Sequence, residues 1–385
     1  MGFFLASREL WRNRSRFLSV SLFIALIALL VFFVGALASG LSNANREFFD
    51  KLDADLLVFQ ENVDLLTTSS RIELSKLRKI QRIEGIGEIG ALGFGNGTVE
   101  FNVPVLEPLD VSIIGVEIGK PGSPPVIAGS QLRSKQRKEA VIDKGVAAWG
   151  NLKIGDEITI KTIQGTEEES FELRIVGLTD TREYLYAPSV FVPLQVWEEI
   201  RPQPNPDPSR IVTIANVAAV KPAEGIDQAS LARLIELQID EVEVADKETS
   251  IKAIPGYSAQ QSTLGLTNGF TFLIGVLVIG GFFQIQTLQK IPQIGVLKAI
   301  GTPTKWVSQA VIIQIVLVNA IGVFIGTGIA LGLGAVLPPD IPAIFNLNSI
   351  WVEMLILLAI GPLGGMISVR SASKVEPLLA LGLSN

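Results

Sequence analysis

The chain has 385 residues, of which 48% are hydrophobic, with a mean hydropathy of +0.43 and a formal net charge of −6 at pH 7. A mean hydropathy this high favours a membrane protein over a soluble domain. The sequence contains neither cysteine nor histidine, which excludes disulfides, metal sites built on Cys or His ligands, thiol nucleophiles and Ser-His catalysis.

Four segments are long and apolar enough to cross a bilayer, whose hydrocarbon core takes about 20 such residues. They cover residues 17–38, 264–285, about 307–337, and 350–369. The first is longer than the core of a signal peptide, so it is predicted to be an uncleaved anchor. Glycines recur in the other three, among them Gly322, Gly326 and Gly328, and predict close helix packing. Glu353 is the only charged residue in these segments, and its place near one end favours a contact with headgroups or a loop over a proton relay.

Basic residues flank these segments in a consistent pattern. The connection 338–349 has none, whereas the other three flanks carry Arg8, Arg12, Arg14 and Arg16, then Lys290, Lys298 and Lys305, and finally Arg370 and Lys374. Because loops rich in Lys and Arg stay in the cytoplasm, both termini are expected inside and the large segment 41–262 outside.

Segment 41–262 is the only part between the apolar segments that is large enough for a folded domain. It is acidic, which argues against a nucleic-acid surface. A strand at 54–60 with a helix at 71–83, and a strand–helix–strand unit across 210–246, predict two related halves of one α+β layer. Short strands and turns between 100 and 192 predict an inserted β-rich part.

The predicted fold class is therefore an α-helical membrane protein with four transmembrane helices plus a large extracytoplasmic α+β domain. Its expected parts are residues 1–40 with the first span, the external domain 41–262, and residues 263–385 with three more spans.

The sequence offers no energy-yielding chemistry of its own. It contains no G-x-x-x-x-G-K-[ST] nucleotide loop, and Gly93, Gly95 and Gly97 do not complete a dinucleotide fingerprint. These three glycines predict a loop or bulge instead. A protein of this kind is either powered by a partner from inside the cell or acts as a passive receptor.

The stretch between the second and third apolar segments is punctuated. Pro292 interrupts a helix leaving the second segment, and apolar residues at helical spacing then predict a short helix that reaches Ile300. Gly301 suits the end of that helix, while Thr302 and Pro303 suit the start of the next. On these grounds the segment is either a docking knob for a partner or an interfacial helix whose lysines touch anionic lipid.

The sequence "IGVLKAIGTPTKWV" at 294–307 resembles the signature of the FtsX-like permeases, the membrane subunits of MacB- and LolCDE-type ABC transporters. "LASRELWRNRSRFLSV" near the start, "YLYAPSVFVPLQVW" in the external segment and "SVRSASKVEPLLALG" near the end also resemble that family. The resemblance implies a bacterial inner-membrane protein whose external domain has a porter-like part carrying an inserted β-rich part.

The resemblance further implies that a coupling helix, here 290–302, docks on a separate ABC ATPase subunit present in two copies. ATP would bind to that partner, so no cofactor is expected in this chain. A second copy of the permease in a homodimer, membrane lipids and in some systems a periplasmic adaptor are the other implied partners, with no nucleic acid. The matching residues expected at the ATPase contact are Pro292, Gln293, Ile294, Gly295, Leu297, Lys298, Ala299 and Gly301.

Gln293 departs from the family pattern, which has an acidic residue at this position. A charge-assisted contact to the ATPase would therefore be replaced by a neutral hydrogen bond, which is weaker.

The function implied is that of a non-catalytic permease subunit in an ATP-driven, mechanically coupled transporter that moves or extrudes a hydrophobic or lipid-like substrate or a peptide. Two alternatives stay open at this point. One is an FtsX-type activator of extracytoplasmic cell-wall hydrolases, and the other is a sensor that relays peptide binding to a signalling partner.

Overall fold

The structure is a computed structural model that describes residues 14–101, 107–204, 214–289, 291–292, 295–296, 300–337, 341 and 343–373. It divides into two compact units. The external unit is Ser42–Gln260, and the helical unit consists of 1–41 together with 261–385.

Helices and strands follow one another along the described chain in a fixed order. They are α1 Arg14–Asp50, β1 Leu56–Gln60, β2 Ile72–Glu73, α2 Leu74–Ile80, β3 Ile86–Glu100, β4 Leu109–Val116, β5 Val126–Gly129, β6 Glu139–Asp143, α3 Lys144–Gly150, β7 Glu157–Gln164, β8 Glu167–Thr179, β9 Ser189–Pro193, α4 Leu194–Ile200, β10 Ile214–Ala215, β11 Val217–Pro222, α5 Gln228–Gln238, β12 Val242–Asp246, α6 Lys247–Lys252, α7 Tyr257–Gln289, α8 Thr304–Gly334 and α9 Leu347–Ser373.

One mixed sheet organises the external unit. Its strand order is β12-β1-β11-β3-β4-β9-β6-β8-β5, with β7 pairing to both β3 and β8. The first four strands are antiparallel to their neighbours, whereas β4–β9 and β6–β8 are parallel pairs. The two ends of the segment therefore meet in one α+β layer, as the strand–helix–strand patterns predict.

The long strand β3 joins this layer to the β-rich strands. It pairs with β11 over Ile86–Leu92, with β4 over Leu92–Val99 and with β7 at its end. The predicted β-rich part is thus continuous with the same sheet in the described residues, because β3 is long enough to serve both regions. Strand residues alternate between the two faces, so separate apolar cores form on either side of the sheet.

The glycines of β3 make room for a tryptophan. Gly93 faces the indole of Trp197 on α4, and a Cβ on Gly115 of the neighbouring strand would lie 2.5 Å from the Trp197 Cβ. Trp197 is fully buried there. The prediction of a loop or bulge at Gly93, Gly95 and Gly97 is therefore wrong: all three lie inside β3, where their missing side chains accommodate a ring.

Three helices of the helical unit are long and apolar enough to cross a membrane, namely 17–50, 257–289 and 308–334. The fourth helix, α9, carries a shorter apolar stretch, Leu347–Leu363. Three of the four predicted spans thus meet the length requirement in the described residues, and the fourth remains a prediction.

Glycines of α8 pack against α1. A Cβ on Gly322 would lie 2.6 Å from the Ile24 Cβ, and one on Gly326 would lie 2.7 Å from the carbonyl oxygen of Ala25. Gly328, by contrast, has no described atom within 4 Å of such a Cβ. Two of the three glycines predicted to allow close helix approach do so within this chain.

Helices α8 and α9 are held together around a proline. Pro362 lies inside α9 and cannot donate to the carbonyl oxygen of Leu358. The side-chain amide of Asn319, which is buried on α8, donates to that oxygen at 3.2 Å and to the Leu357 carbonyl at 3.1 Å. Gly361 lets Asn319 come this close because a Cβ there would collide with the amide.

Glu353 on α9 is half-buried, with its carboxylate against Gly35 of α1. The expectation that it meets headgroups or a loop is therefore wrong: the side chain lies against a helix of the same unit, at a position where glycine leaves space.

Candidate functional site

The predicted ATPase-contact segment is described only in part. Pro292 and Gly295 lie in helical turns, and the amide of Ile300 donates to the Val296 carbonyl at 3.1 Å. Gly301 has a φ of +91°, the left-handed conformation expected where a helix ends. These turns agree with a short helix followed by a stop. The other five predicted contact residues lie outside the described residues: Gln293, Ile294, Leu297, Lys298 and Ala299.

The start of the next helix differs by one residue from the prediction. Pro303, with φ −62° and ψ 139°, occupies the cap position, and α8 begins at Thr304. Thr302 is therefore not the cap. The fixed φ of proline suits the extended residue before a helix as well as the first helical position, so the prediction was off by one residue.

The second candidate site is the end of α1, which is anchored in the external unit. Lys51 Nζ lies 2.7 Å from Glu47 Oε1 and 3.3 Å from Asp180 Oδ2, and it also donates to the Thr181 carbonyl. In return, Arg182 donates to the Lys51 carbonyl at 2.7 Å. The loop after β8 thus binds the last turn of α1 through both side chains and backbone.

Further contacts fix the sides of this helix end. Asn45 Nδ2 lies 2.6 Å from Tyr186 Oη and 3.1 Å from Gln260 Oε1, and Tyr186 Oη donates to Gln260 Oε1 at 2.9 Å. On another side, Arg46 pairs with Glu248 at 2.8 Å. The final part of α1 therefore meets several separate segments of the external unit.

An aromatic cluster underlies these polar contacts. Phe48, which is fully buried, lies edge-on to Phe49, Phe94 and Tyr184, with ring centroids 5.4–5.5 Å apart. Tyr184 also hydrogen-bonds through its hydroxyl to Thr67. Edge-to-face pairs of this kind add to the stabilisation from buried apolar area, so the end of α1 is part of the main core of the external unit.

The electrostatics of the anchoring loop are uneven. Burial raises the pKa of Glu183 to about 7, and the negative charge of Glu47 adds to the rise. Hydrogen bonds from Lys144 and Lys51 lower the pKa of the neighbouring Asp180 to about 2. Near neutral pH the loop therefore holds one firmly ionised carboxylate beside one that changes protonation state.

The largest cavity in the described residues lies in the external unit and has a volume of about 820 Å³. Its charged groups are paired with each other: Lys161 with Glu100 at 2.6 Å, and Arg201 with Glu198 through two hydrogen bonds. The Arg201 guanidinium also lies 5.2 Å from the centre of the Trp197 ring. No cluster of acidic residues that could hold a metal occurs among the described residues, so the cavity has the features of a binding space.

Sequence reasoning did not find the anchoring network. Its residues are ordinary polar types whose partners are far apart in sequence, such as Lys51 and Asp180, and no short motif marks them. A partial signal was present in the two phenylalanines Phe48 and Phe49, which follow the first apolar segment at a point where solvent exposure would be costly.

Family models match nearly the whole chain. The model of the MacB-like periplasmic core domain matches residues 20–237, and the model of the FtsX-like permease C-terminal region matches residues 266–377. The chain belongs to the FtsX-like permease family. This permease is therefore an ABC transporter permease subunit of the FtsX/MacB type.

Curated relatives extend this similarity along the full length. The permease is 27% identical over 378 residues to the "Putative hemin transport system permease protein HrtB" of Staphylococcus haemolyticus, covering 98% of this chain and 99% of that protein. The HrtB of Staphylococcus epidermidis strain RP62A is 25% identical over the same length. A "Macrolide export ATP-binding/permease protein MacB" of Azoarcus is 27% identical over 129 residues, 32% of this chain and 20% of that protein.

Solved structures are similar at a lower level. The periplasmic region of MacB from Actinobacillus actinomycetemcomitans aligns with a TM-score of 0.37 and 12% identity, covering 52% of this permease and 92% of that chain. The family membership rests on the sequence models and not on this alignment.

Proposed function

We propose that this permease works as a homodimer with two copies of a separate ABC ATPase and transmits the ATPase cycle mechanically to its external unit. Its termini and coupling segment would face the cytoplasm, and its substrate would be hydrophobic or lipid-like, or a peptide. The hemin named for the staphylococcal relatives is a member of the hydrophobic class. The full-length match to permeases of a transport system supports transport over hydrolase activation or sensing.

The observation that carries this proposal is the continuity of α1. Its 37 residues correspond to about 55 Å at 1.5 Å per residue, whereas a bilayer core is about 30 Å thick. The helix is thus longer than a span requires, and its last turns are fixed by Lys51, Arg182 and Phe48 in the external unit. A rigid helix that begins in one unit and is anchored in the other can carry a displacement between them.

A kink in this helix tests the proposal. Asn43 is exposed on α1, so Asn43→Pro removes a helical hydrogen bond and bends the helix without altering a packed side chain, and Asn43→Ala is the matched control. We expect the proline variant to bind the ATPase subunit and retain basal ATP hydrolysis, while losing ATP-dependent protection of cells against hemin or another hydrophobic toxin.

The alanine variant is expected to behave like the unchanged protein. Full transport by Asn43→Pro would show that α1 does not transmit the motion, and loss of ATPase binding by that variant would show that the kink acts on assembly.

A further inference from the structure

A second cavity of the external unit, about 340 Å³ in volume, lies apart from the anchoring network. We call it the amphiphile slot. It lies between α2 and the start of α4, over β3, and its apolar walls come from Leu74, Leu77, Ile89, Ile118 and Leu194. Leu74, Ile118 and Leu194 are only half-buried. The slot thus offers apolar surface that a ligand would remove from water.

The rim of the amphiphile slot is basic. Arg78, Lys120 and Lys135 line it, and Glu117 is the one acidic residue among the described lining residues. This is unusual for a domain whose sequence is rich in acidic residues.

These three cations also lack carboxylate partners. No described carboxylate lies within 4.0 Å of their nitrogens, whereas Lys76 and Lys221 of the same unit are paired with Glu241 and Asp53. Arg78 makes only a long hydrogen bond, 3.4 Å from Nε to the Leu74 carbonyl oxygen. Arg78, Lys120 and Lys135 are therefore available to bind a negative group.

We propose that the amphiphile slot binds single-chain amphiphiles with an acidic head group, with the alkyl chain against the leucine and isoleucine walls and the carboxylate or phosphate near Arg78, Lys120 and Lys135. Apolar walls with a few placed polar groups are the usual composition of a ligand site. The volume is at the small end for such sites, which favours one chain over a diacyl lipid or a folded partner.

This assignment rests on the proposed transport function only in treating the ligand as a substrate. Binding can be measured on the permease alone, without the ATPase, so its result is independent of the Asn43→Pro experiment. The permease has no cysteine of its own. Gln195→Cys, at an exposed position on the slot lining, therefore provides a unique site for an environment-sensitive fluorophore on the full chain in lipid nanodiscs.

Three probes with the same alkyl chain separate the contributions of chain and charge: dodecanoate, dodecanol and dodecyltrimethylammonium. We expect a saturable fluorescence change with dodecanoate and a roughly tenfold weaker apparent affinity for the neutral and cationic probes. Dodecyl phosphate is expected to bind like dodecanoate, and if only one of the two binds, the head group is assigned to that acid. A linear, non-saturating response equal for all probes would be bilayer partitioning alone and would overturn the proposal.

Matched charge reversals complete the test. Arg78→Glu with Lys120→Glu changes two rim residues, while Lys79→Glu with Arg82→Glu makes the same change in charge at exposed positions that do not line the slot. We expect the rim pair to weaken dodecanoate binding about tenfold or more, with an unchanged melting temperature, and the control pair to bind normally. Equal affinity in both pairs would overturn the proposal, as would saturable binding of an acidic amphipathic peptide without binding of dodecanoate.

Discussion

Gly326 on α8 leaves space for α1, and alanine at this position is expected to force the two helices apart. A Cβ there would lie 2.7 Å from both the carbonyl oxygen of Ala25 and the Cβ of Ala28, well inside the usual contact distance of about 3.5–4.0 Å. The carbonyl oxygen is part of the α1 backbone, so the clash is relieved only by a shift of a whole helix. Overpacking of this kind costs about 1–3 kcal/mol.

Gly328, two residues further along α8, is the matched control because a Cβ there meets no described atom within 4 Å. Both substitutions gain about 1 kcal/mol of helix propensity, which cancels when the two variants are compared. The free energy of unfolding of Gly326→Ala should therefore fall below that of Gly328→Ala by about 1–3 kcal/mol.

Unfolding of the full chain by sodium dodecyl sulfate in mixed micelles, followed by far-UV circular dichroism, measures this difference. Gly322→Ala should resemble Gly326→Ala, since its Cβ would lie 2.6 Å from the Ile24 Cβ. Equal free energies for Gly326→Ala and Gly328→Ala would refute the packing of α8 on α1 through this glycine.

Three further substitutions probe other parts of the molecule. The pKa of Glu183 in the folded state, about 7, is above its ordinary value of 4.5; its contribution to stability is therefore fully present below about pH 4.5 and lost as the pH rises through 7. Glu183→Gln should flatten this decline in the melting temperature of the full chain between pH 5 and 8, and a decline of unchanged steepness would contradict the assignment. Asn319→Leu should cost about 1–2 kcal/mol because it leaves the carbonyl freed by Pro362 without a donor, and the cost should shrink when Pro362→Ala restores a backbone N–H. Equal costs in the two backgrounds would count against this pairing. Phe48→Ala should destabilise the external unit by about 3–5 kcal/mol, measured by the urea dependence of its proteolysis, whereas Leu237→Ala at a position 84% exposed should have little effect.

The sequence predicted the elements whose signal is local. The strands β1 and β12 and the helix α5 occur where alternating or helical patterns of apolar residues indicate them, since burial on one face imposes that period. The helix predicted at 71–83 is shorter, because Ile72 and Glu73 pair with Ala215 and Ile214 as a strand. That pairing joins residues far apart in the chain, which a local pattern cannot show.

The same physical limit explains what was missed at the sites. The amide of Asn319 matters because Pro362 on another helix frees a carbonyl, and Lys51 matters because Asp180 and Arg182 reach it from a distant loop. For the ATPase contact, the described turns at Pro292, Gly295 and Gly301 agree with the predicted helix. The roles of all eight predicted contact residues in binding the ATPase remain predictions.

The burial of Trp197 between two strands has a consequence for how this sequence can change over time. Gly93 and Gly115 are separated from Trp197 by about a hundred residues, yet a side chain at either glycine would occupy the space of the indole. A mutation of either glycine is therefore tolerated only after Trp197 has become smaller, and a smaller residue at 197 leaves a cavity until one of the glycines gains a side chain. Among descendants of this chain, these three positions should be replaced together or not at all.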